Sequence, residues 1–128
     1  MPAAVVTGAG SGLGRAIAVE LAGRGFVVLA TDIDAGAAAD TAEAIGVGAT
    51  SMELDVRDGE ACRAAATAAI SRSGSLDLWV NNAGVLITGN AWEQDAAPRR
   101  TMVDVNAVGT MNGTVAALER MTVSGRDT

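Results

Sequence analysis

The chain has no histidine and no tyrosine, and its nine cationic side chains are all arginines, so lysine is missing as well. Those three absences remove the commonest general base, the amine nucleophile and the phenolic acid together. A single cysteine, Cys62, excludes an internal disulfide and a cysteine-cluster metal site; within an alanine-rich helix it reads as a small core residue. Aromatic residues make up only 2% of the chain, and no apolar run approaches the about 18 residues that span a bilayer. The start, Met1 to Val6, lacks a basic n-region, so no secretory leader is read and a cytoplasmic location is expected. With a net charge of −6 there is no basic surface for nucleic acid. Chemistry must come from carboxylates, hydroxyls, amides, arginine, Cys62 or a cofactor.

What is present is alternation. Short β-branched runs at Ala3–Thr7, Phe26–Thr31, Ser51–Val56 and Leu76–Asn81 predict strands. Between them, alanine-rich stretches at Gly12–Ala22, Asp34–Ile45 and Asp58–Ser73 predict helices. Leu13, Ile17 and Leu21 form a helical stripe, and Glu20 is spaced to pair with Arg24. Asp34 and Asp58 stand where N-caps belong; Gly46 and Gly74 stand at C-terminal ends. After a loop at Thr88–Ala97 comes a long helix, Pro98–Met121, which would carry Asn106 in a stripe with Met102, Gly109 and Gly113. Nearly continuous apolar strands alternating with helices mean a parallel sheet covered on both faces, within one domain over residues 1–128. Trp79 and Trp92 read as packing residues flanking the loop after the fourth strand.

The first strand–helix turn is glycine-rich: Thr7-Gly8-Ala9-Gly10-Ser11-Gly12-Leu13-Gly14. Glycines make the tight turn and admit a pyrophosphate close to a helix N-terminus. A phosphate loop needs a lysine, which is absent, and G-x-G-x-x-G fails because position 13 is leucine from Gly8 and position 15 is arginine from Gly10. The register that fits is G-x-x-x-G-x-G, at Gly8, Gly12 and Gly14. Asp32 lies eighteen residues after Gly14, at the end of the second strand.

With Asn81-Asn82-Ala83-Gly84 after the fourth strand, Asp55-Val56 closing the third, and Val105-Asn106-x-x-Gly109 in the long helix, this pattern resembles the short-chain dehydrogenase/reductase family. The resemblance implies a Rossmann-type doubly wound parallel sheet of strand order 3-2-1-4, incomplete relative to the family, and NAD as cofactor. It implies that Ser11, Gly12 and Leu13 meet the pyrophosphate, with Thr7 bracing the turn. Asp32 and Ile33 would lie at the adenosine ribose, Asp55 and Val56 at adenine, and Asn82, Ala83 and Gly84 at the nicotinamide ribose. Asn106 matches a member of the family's catalytic tetrad. The tetrad's serine and Tyr-x-x-x-Lys have no counterpart in this sequence. The chain therefore reads as the NAD-binding portion of an oxidoreductase that moves hydride between NAD and an alcohol or carbonyl of a small molecule. It would be inactive alone and stops abruptly near Gly125-Arg126. An open edge beside the fourth strand and an apolar helix face imply a homo-oligomer or completion by further polypeptide. Two rivals stand beside this reading. One is an S-adenosylmethionine methyltransferase, reading Gly8, Gly10 and Gly12 as its loop although Val6 occupies its usual acidic position. The other is a non-catalytic dinucleotide-binding protein.

Overall fold

The computed structural model describes residues 1–123, so Gly125-Arg126 lie outside the described residues. Strand β1 (Ala3–Val6) leads to helix α1 (Gly12–Gly23), then β2 (Val27–Asp32), α2 (Ala35–Ile45), β3 (Ala49–Glu53), α3 (Gly59–Ser73) and β4 (Leu78–Val80). The four strands form one parallel sheet in the order β3-β2-β1-β4, as the family resemblance implies. Among the described residues β4 pairs with β1 alone.

Alternation along β1 explains why both sheet faces are covered. Val5 points into a cluster with Leu29, Cys62, Ala66, Leu76 and Ala116, under α3 and the last helix. Val6, the next residue, points the other way, to Ala18, Val28 and Ala30 with Ile17 and Leu21 of α1 beside them. The central strand is thus buried at every position. Because much of this core is alanine, its few large side chains matter: truncating fully buried Leu76 to alanine costs about 2–5 kcal/mol.

The helix signals in the sequence act as expected. Asp34 accepts from the Ala37 amide at 3.0 Å, and Asp58 accepts from Glu60 and Ala61 at 3.0 and 3.3 Å. Gly74 closes α3 in the left-handed conformation at φ 86°, and Glu20 pairs with Arg24 at 3.0 Å. Other expectations need correction. Leu13 is not a core residue of α1; it lies in the first turn, 70% exposed, at the rim of a cleft. Strand β3 starts earlier than predicted and ends at Glu53, so Asp55 and Val56 lie past it in a turn. The turn forms because the Asp55 carboxylate accepts the Arg57 amide (3.0 Å) and its carbonyl accepts the Asp58 amide (3.0 Å).

The last segment also differs. Residues 91–93 make a single 3₁₀ turn inside the predicted loop, and Trp92 there is 82% exposed, so packing does not account for it. Helix α4 begins at Ala96, two residues before Pro98, whose missing amide falls in the first turn where no intrahelical bond is lost. Instead of one continuous helix there are α4 (Ala96–Val103), a π-helical turn at Asp104–Val108, and α5 (Gly109–Val123). At that turn the Thr110 hydroxyl donates to the Asn106 carbonyl at 2.9 Å, offering this carbonyl a partner outside the regular ladder.

Candidate functional site

A cleft of about 470 Å3 opens at the carboxyl ends of the strands, lined by Gly8, Ser11, Gly12 and Leu13, by Asp32 and Ile33, by residues 54–57, by residues 82–85, and by Thr101 and Val105. It lies beside β1, where the strand order reverses, the position at which doubly wound sheets take ligands. Every residue singled out by the sequence for cofactor contact lines it except Gly14, and Asn106 adjoins it through Val85.

Gly14 is needed beneath the cleft. A Cβ there would run into the Gly8 carbonyl oxygen and the Asn82 side chain. Gly8 itself has φ 63°, and a Cβ on it would lie 2.9 Å from the Ala83 Cα. The glycine turn is therefore packed directly on the loop after β4, and three polar contacts hold the two together. The Thr7 hydroxyl accepts from the Asn82 and Ala83 amides, both at 3.0 Å, and the Asn82 side-chain amide donates to the Gly8 carbonyl at 3.1 Å.

Helix α1 approaches the cleft with its N-terminus unspent. The Ser11 hydroxyl makes no capping bond, and no acidic side chain lies in the first turn. Helices α2 and α3, by contrast, each use an aspartate there. The first amides of α1 have no intrahelical acceptor and carry the positive end of the helix dipole.

Asp32 is half-buried and pinned from two sides: Oδ2 accepts from the Gly10 amide at 2.9 Å and Oδ1 from the Asp34 amide at 3.0 Å. A Cβ on Gly10 would lie 2.6 Å from the Ala37 Cβ and 2.7 Å from that carboxylate, so the middle glycine makes room for both Asp32 and α2. Next to Leu54, whose amide donates to the Asp32 carbonyl at 2.8 Å, Asp55 is gripped by the Arg57 guanidinium, whose hydrogen bonding holds its carboxyl below the usual carboxylate range.

Asn106 lies in the π-helical turn. Its Oδ1 accepts from the Val85 amide and its Nδ2 donates to the Val85 carbonyl, each at 2.8 Å. Both functions of the side chain therefore clamp the segment that follows Asn82-Ala83-Gly84. The Asn112 side chain similarly donates to the Val56 carbonyl at 2.9 Å, tying α5 to the cleft's other wall. Buried Thr41, whose hydroxyl donates to the Ala9 carbonyl at 2.8 Å, fixes the glycine turn from below. Sequence reasoning passed over Thr41, Arg57 and Asn112; only Arg57, two residues from Asp55, carried a local signal. Cys62 is wholly buried, and no cluster of potential metal ligands exists among the described residues.

A parallel doubly wound sheet with a glycine turn packed on an Asn-Ala-Gly loop defines a dinucleotide-binding class of protein. Comparison with known proteins names the family. The short chain dehydrogenase family model matches residues 2–127, and the chain belongs to that family. It is 37% identical over 125 residues to SadH of Mycobacterium tuberculosis, assigned as an oxidoreductase, covering 95% of this chain and 45% of SadH. It is 34% identical over 131 residues to trans-4-hydroxycyclohexanecarboxylate dehydrogenase of Sinomonas cyclohexanicum, covering 95% of this chain and 51% of that enzyme. Among solved structures, a short chain dehydrogenase/reductase from Burkholderia phymatum in complex with NAD superposes with a TM-score of 0.93 at 34% identity, covering 99% of this chain and 46% of that one. The chain thus spans about half the length of its relatives. The methyltransferase reading is not favoured: Val6, at the position where that class has a carboxylate, is wholly buried in β1. No helix among the described residues is long and apolar enough to cross a membrane.

Proposed function

We propose that this chain is one NAD(H)-binding domain, the cofactor half of an enzyme that moves hydride between NAD and an alcohol or carbonyl of a small molecule. The observation that carries the reading is the uncapped N-terminus of α1 beside a glycine turn packed on the loop after β4. The donor set of the cleft supports a dinucleotide. Ser11, Gly12 and Leu13 would hold the pyrophosphate, Asp32 with Ile33 the adenosine ribose, Asp55 and Val56 the adenine, and Asn82, Ala83 and Gly84 the nicotinamide ribose. Hydride acceptance belongs to the bound nicotinamide. This chain has no tyrosine or lysine to handle the accompanying proton, so turnover is proposed for the whole protein and not for these residues alone. Asn106, its side chain committed to Val85, acts here as a positioning residue for the nicotinamide loop. The pattern suits a protein of the cytoplasm that assembles with itself or with further polypeptide through the open β4 edge and the exposed Met111, Val115 and Leu118.

Asp32 sets the cofactor choice. Two unit charges ~4 Å apart repel by about 1 kcal/mol in water and roughly 4 kcal/mol near a protein surface. NADH should therefore bind about one to three decades more tightly than NADPH. Calorimetric titration of both, with light scattering on the same sample for its mass, tests the proposal. Asp32→Ala should shrink the ratio; an unchanged ratio would remove Asp32 from the cofactor site, and a sharp monomer would remove the assembly.

A further inference from the structure

Hydroxyls inside a helix commonly turn back on their own backbone. Thr101, Thr110 and Thr114 each donate to the carbonyl four residues earlier, at 3.1, 2.9 and 2.8 Å, as does Ser73 at 2.9 Å. Thr41 behaves differently. Its hydroxyl leaves α2 and donates at 2.8 Å to the Ala9 carbonyl in the glycine turn. Both residues are wholly buried, so water does not reach that bond.

The carbonyl belongs to the Ala9–Gly10 peptide unit, and the other end of that unit is held as well. The Gly10 amide donates to Asp32 Oδ2 at 2.9 Å. A trans peptide points its carbonyl and amide to opposite sides, so these two bonds fix its plane. Asp32 in turn takes the Asp34 amide on Oδ1 at 3.0 Å, and Asp34 caps α2 through the Ala37 amide at 3.0 Å. The bonds close a ring that runs from α2 through Thr41, the Ala9–Gly10 peptide, Asp32 and Asp34 back to α2. Each Asp32 oxygen receives one donor in that ring, which leaves each a further acceptor position.

We propose that Thr41 is a positioning residue for cofactor choice: by holding the Ala9 carbonyl it keeps the Gly10 amide turned to Asp32, so the carboxylate meets the adenosine ribose in one fixed arrangement. This role rests on the dinucleotide reading of Asp32 and deepens it, adding a residue of another element that does not itself line the cleft. Without the hydroxyl, the Ala9 carbonyl would be a buried acceptor with no donor, which costs more than the bond itself contributes. Turning the peptide over would set that oxygen against the Asp32 carboxylate. The relaxation that remains frees the carboxylate to swing away from a 2′-phosphate, and discrimination weakens.

The test is calorimetric titration of NADH and NADPH into the wild-type chain, Thr41→Val, Thr41→Ser, Asp32→Ala and the Asp32→Ala, Thr41→Val double variant. Thr41→Val removes the hydroxyl at nearly constant shape and should reduce the preference for NADH about five- to tenfold, the scale of one hydrogen bond. Thr41→Ser keeps the hydroxyl and should hold the wild-type preference, even where the lost methyl lowers the melt. In the Asp32→Ala background Thr41→Val should leave the ratio unchanged, because its effect passes through Asp32. A Thr41→Val chain with a lower melt and the wild-type ratio overturns the role of Thr41 while the cofactor reading stands, and so does a ratio that shifts equally without Asp32. A wild-type chain with equal affinities overturns both. Should Thr41→Val fail to fold, the wild-type chain decides through linkage. Saturating NADH should then slow deuterium exchange of the Gly10 amide more than saturating NADPH does; equal slowing overturns the role of Thr41.

Discussion

Single residues carried the site in the sequence where their chemistry is irreplaceable. Gly8 and Gly14 could be read because a side chain at either position has nowhere to go, and Asp32 because a carboxylate closing a second strand has few other uses there. Asn106 was legible as a position but not as a contact. That both ends of its amide go to one backbone unit, Val85, depends on a π-helical turn that no local pattern announces. Thr41 was invisible for a plainer reason: a lone threonine in an alanine-rich helix says nothing of the Ala9 carbonyl it meets. Cys62 shows how an absence sharpens a prediction. Burial first, then the charges of Asp58 and Asp55, push its thiol up to about 11. In the unfolded chain it ionises near pH 8.5. The folded state binds a proton that the unfolded state has released, so stability should fall as pH rises from about 9 to 11. With no lysine and no tyrosine, no other side chain titrates in that window. Urea melts between pH 8 and 11 should lose midpoint steadily, and Cys62→Ala should flatten the slope; an unchanged slope would place the alkaline loss elsewhere.

Elements were more legible than their ends. Three helices and four strands follow from hydrophobic period and caps, because Asp34, Asp58 and Gly74 each solve a backbone problem that only a few residue types solve. Boundaries failed where tertiary contacts decide. β3 stops at Glu53 because Asp55 and Arg57 fold the chain into a turn, and the last helix divides because a π-helical turn interrupts it, with Gly109 packed so close to Val56 that a Cβ would collide. The contrast among helix N-termini makes the functional claim testable at this scale. Asp58→Ala removes a true cap and should cost about 0.5–2 kcal/mol of stability with little effect on the cleft. Ser11→Ala removes a hydroxyl that caps nothing, so the melt should stay put while affinity for a pyrophosphate-bearing ligand drops. A large loss of stability in Ser11→Ala, with binding unaltered, would make α1 an ordinary helix.

Among the described residues the sheet has two edge strands, β3 and β4. The outer edge of β4 has no strand beside it among the described residues, and Val103, Met111, Val115 and Leu118 stand exposed along the last helices. Charge, composition and element order could specify the layered architecture, since β1 and most of β2 are apolar enough to be buried on both faces. The central claim is that these residues form an NAD-binding portion. Its most direct test is titration of NADH into the 128-residue chain and into Gly14→Ala, with S-adenosylmethionine as the competing ligand. The account predicts saturable NADH binding by the wild-type chain, at least tenfold weaker binding by Gly14→Ala because the new Cβ meets the Gly8 carbonyl, and no measurable heat from S-adenosylmethionine. Wild-type protein that ignores NADH, or that takes up S-adenosylmethionine in its place, would contradict it.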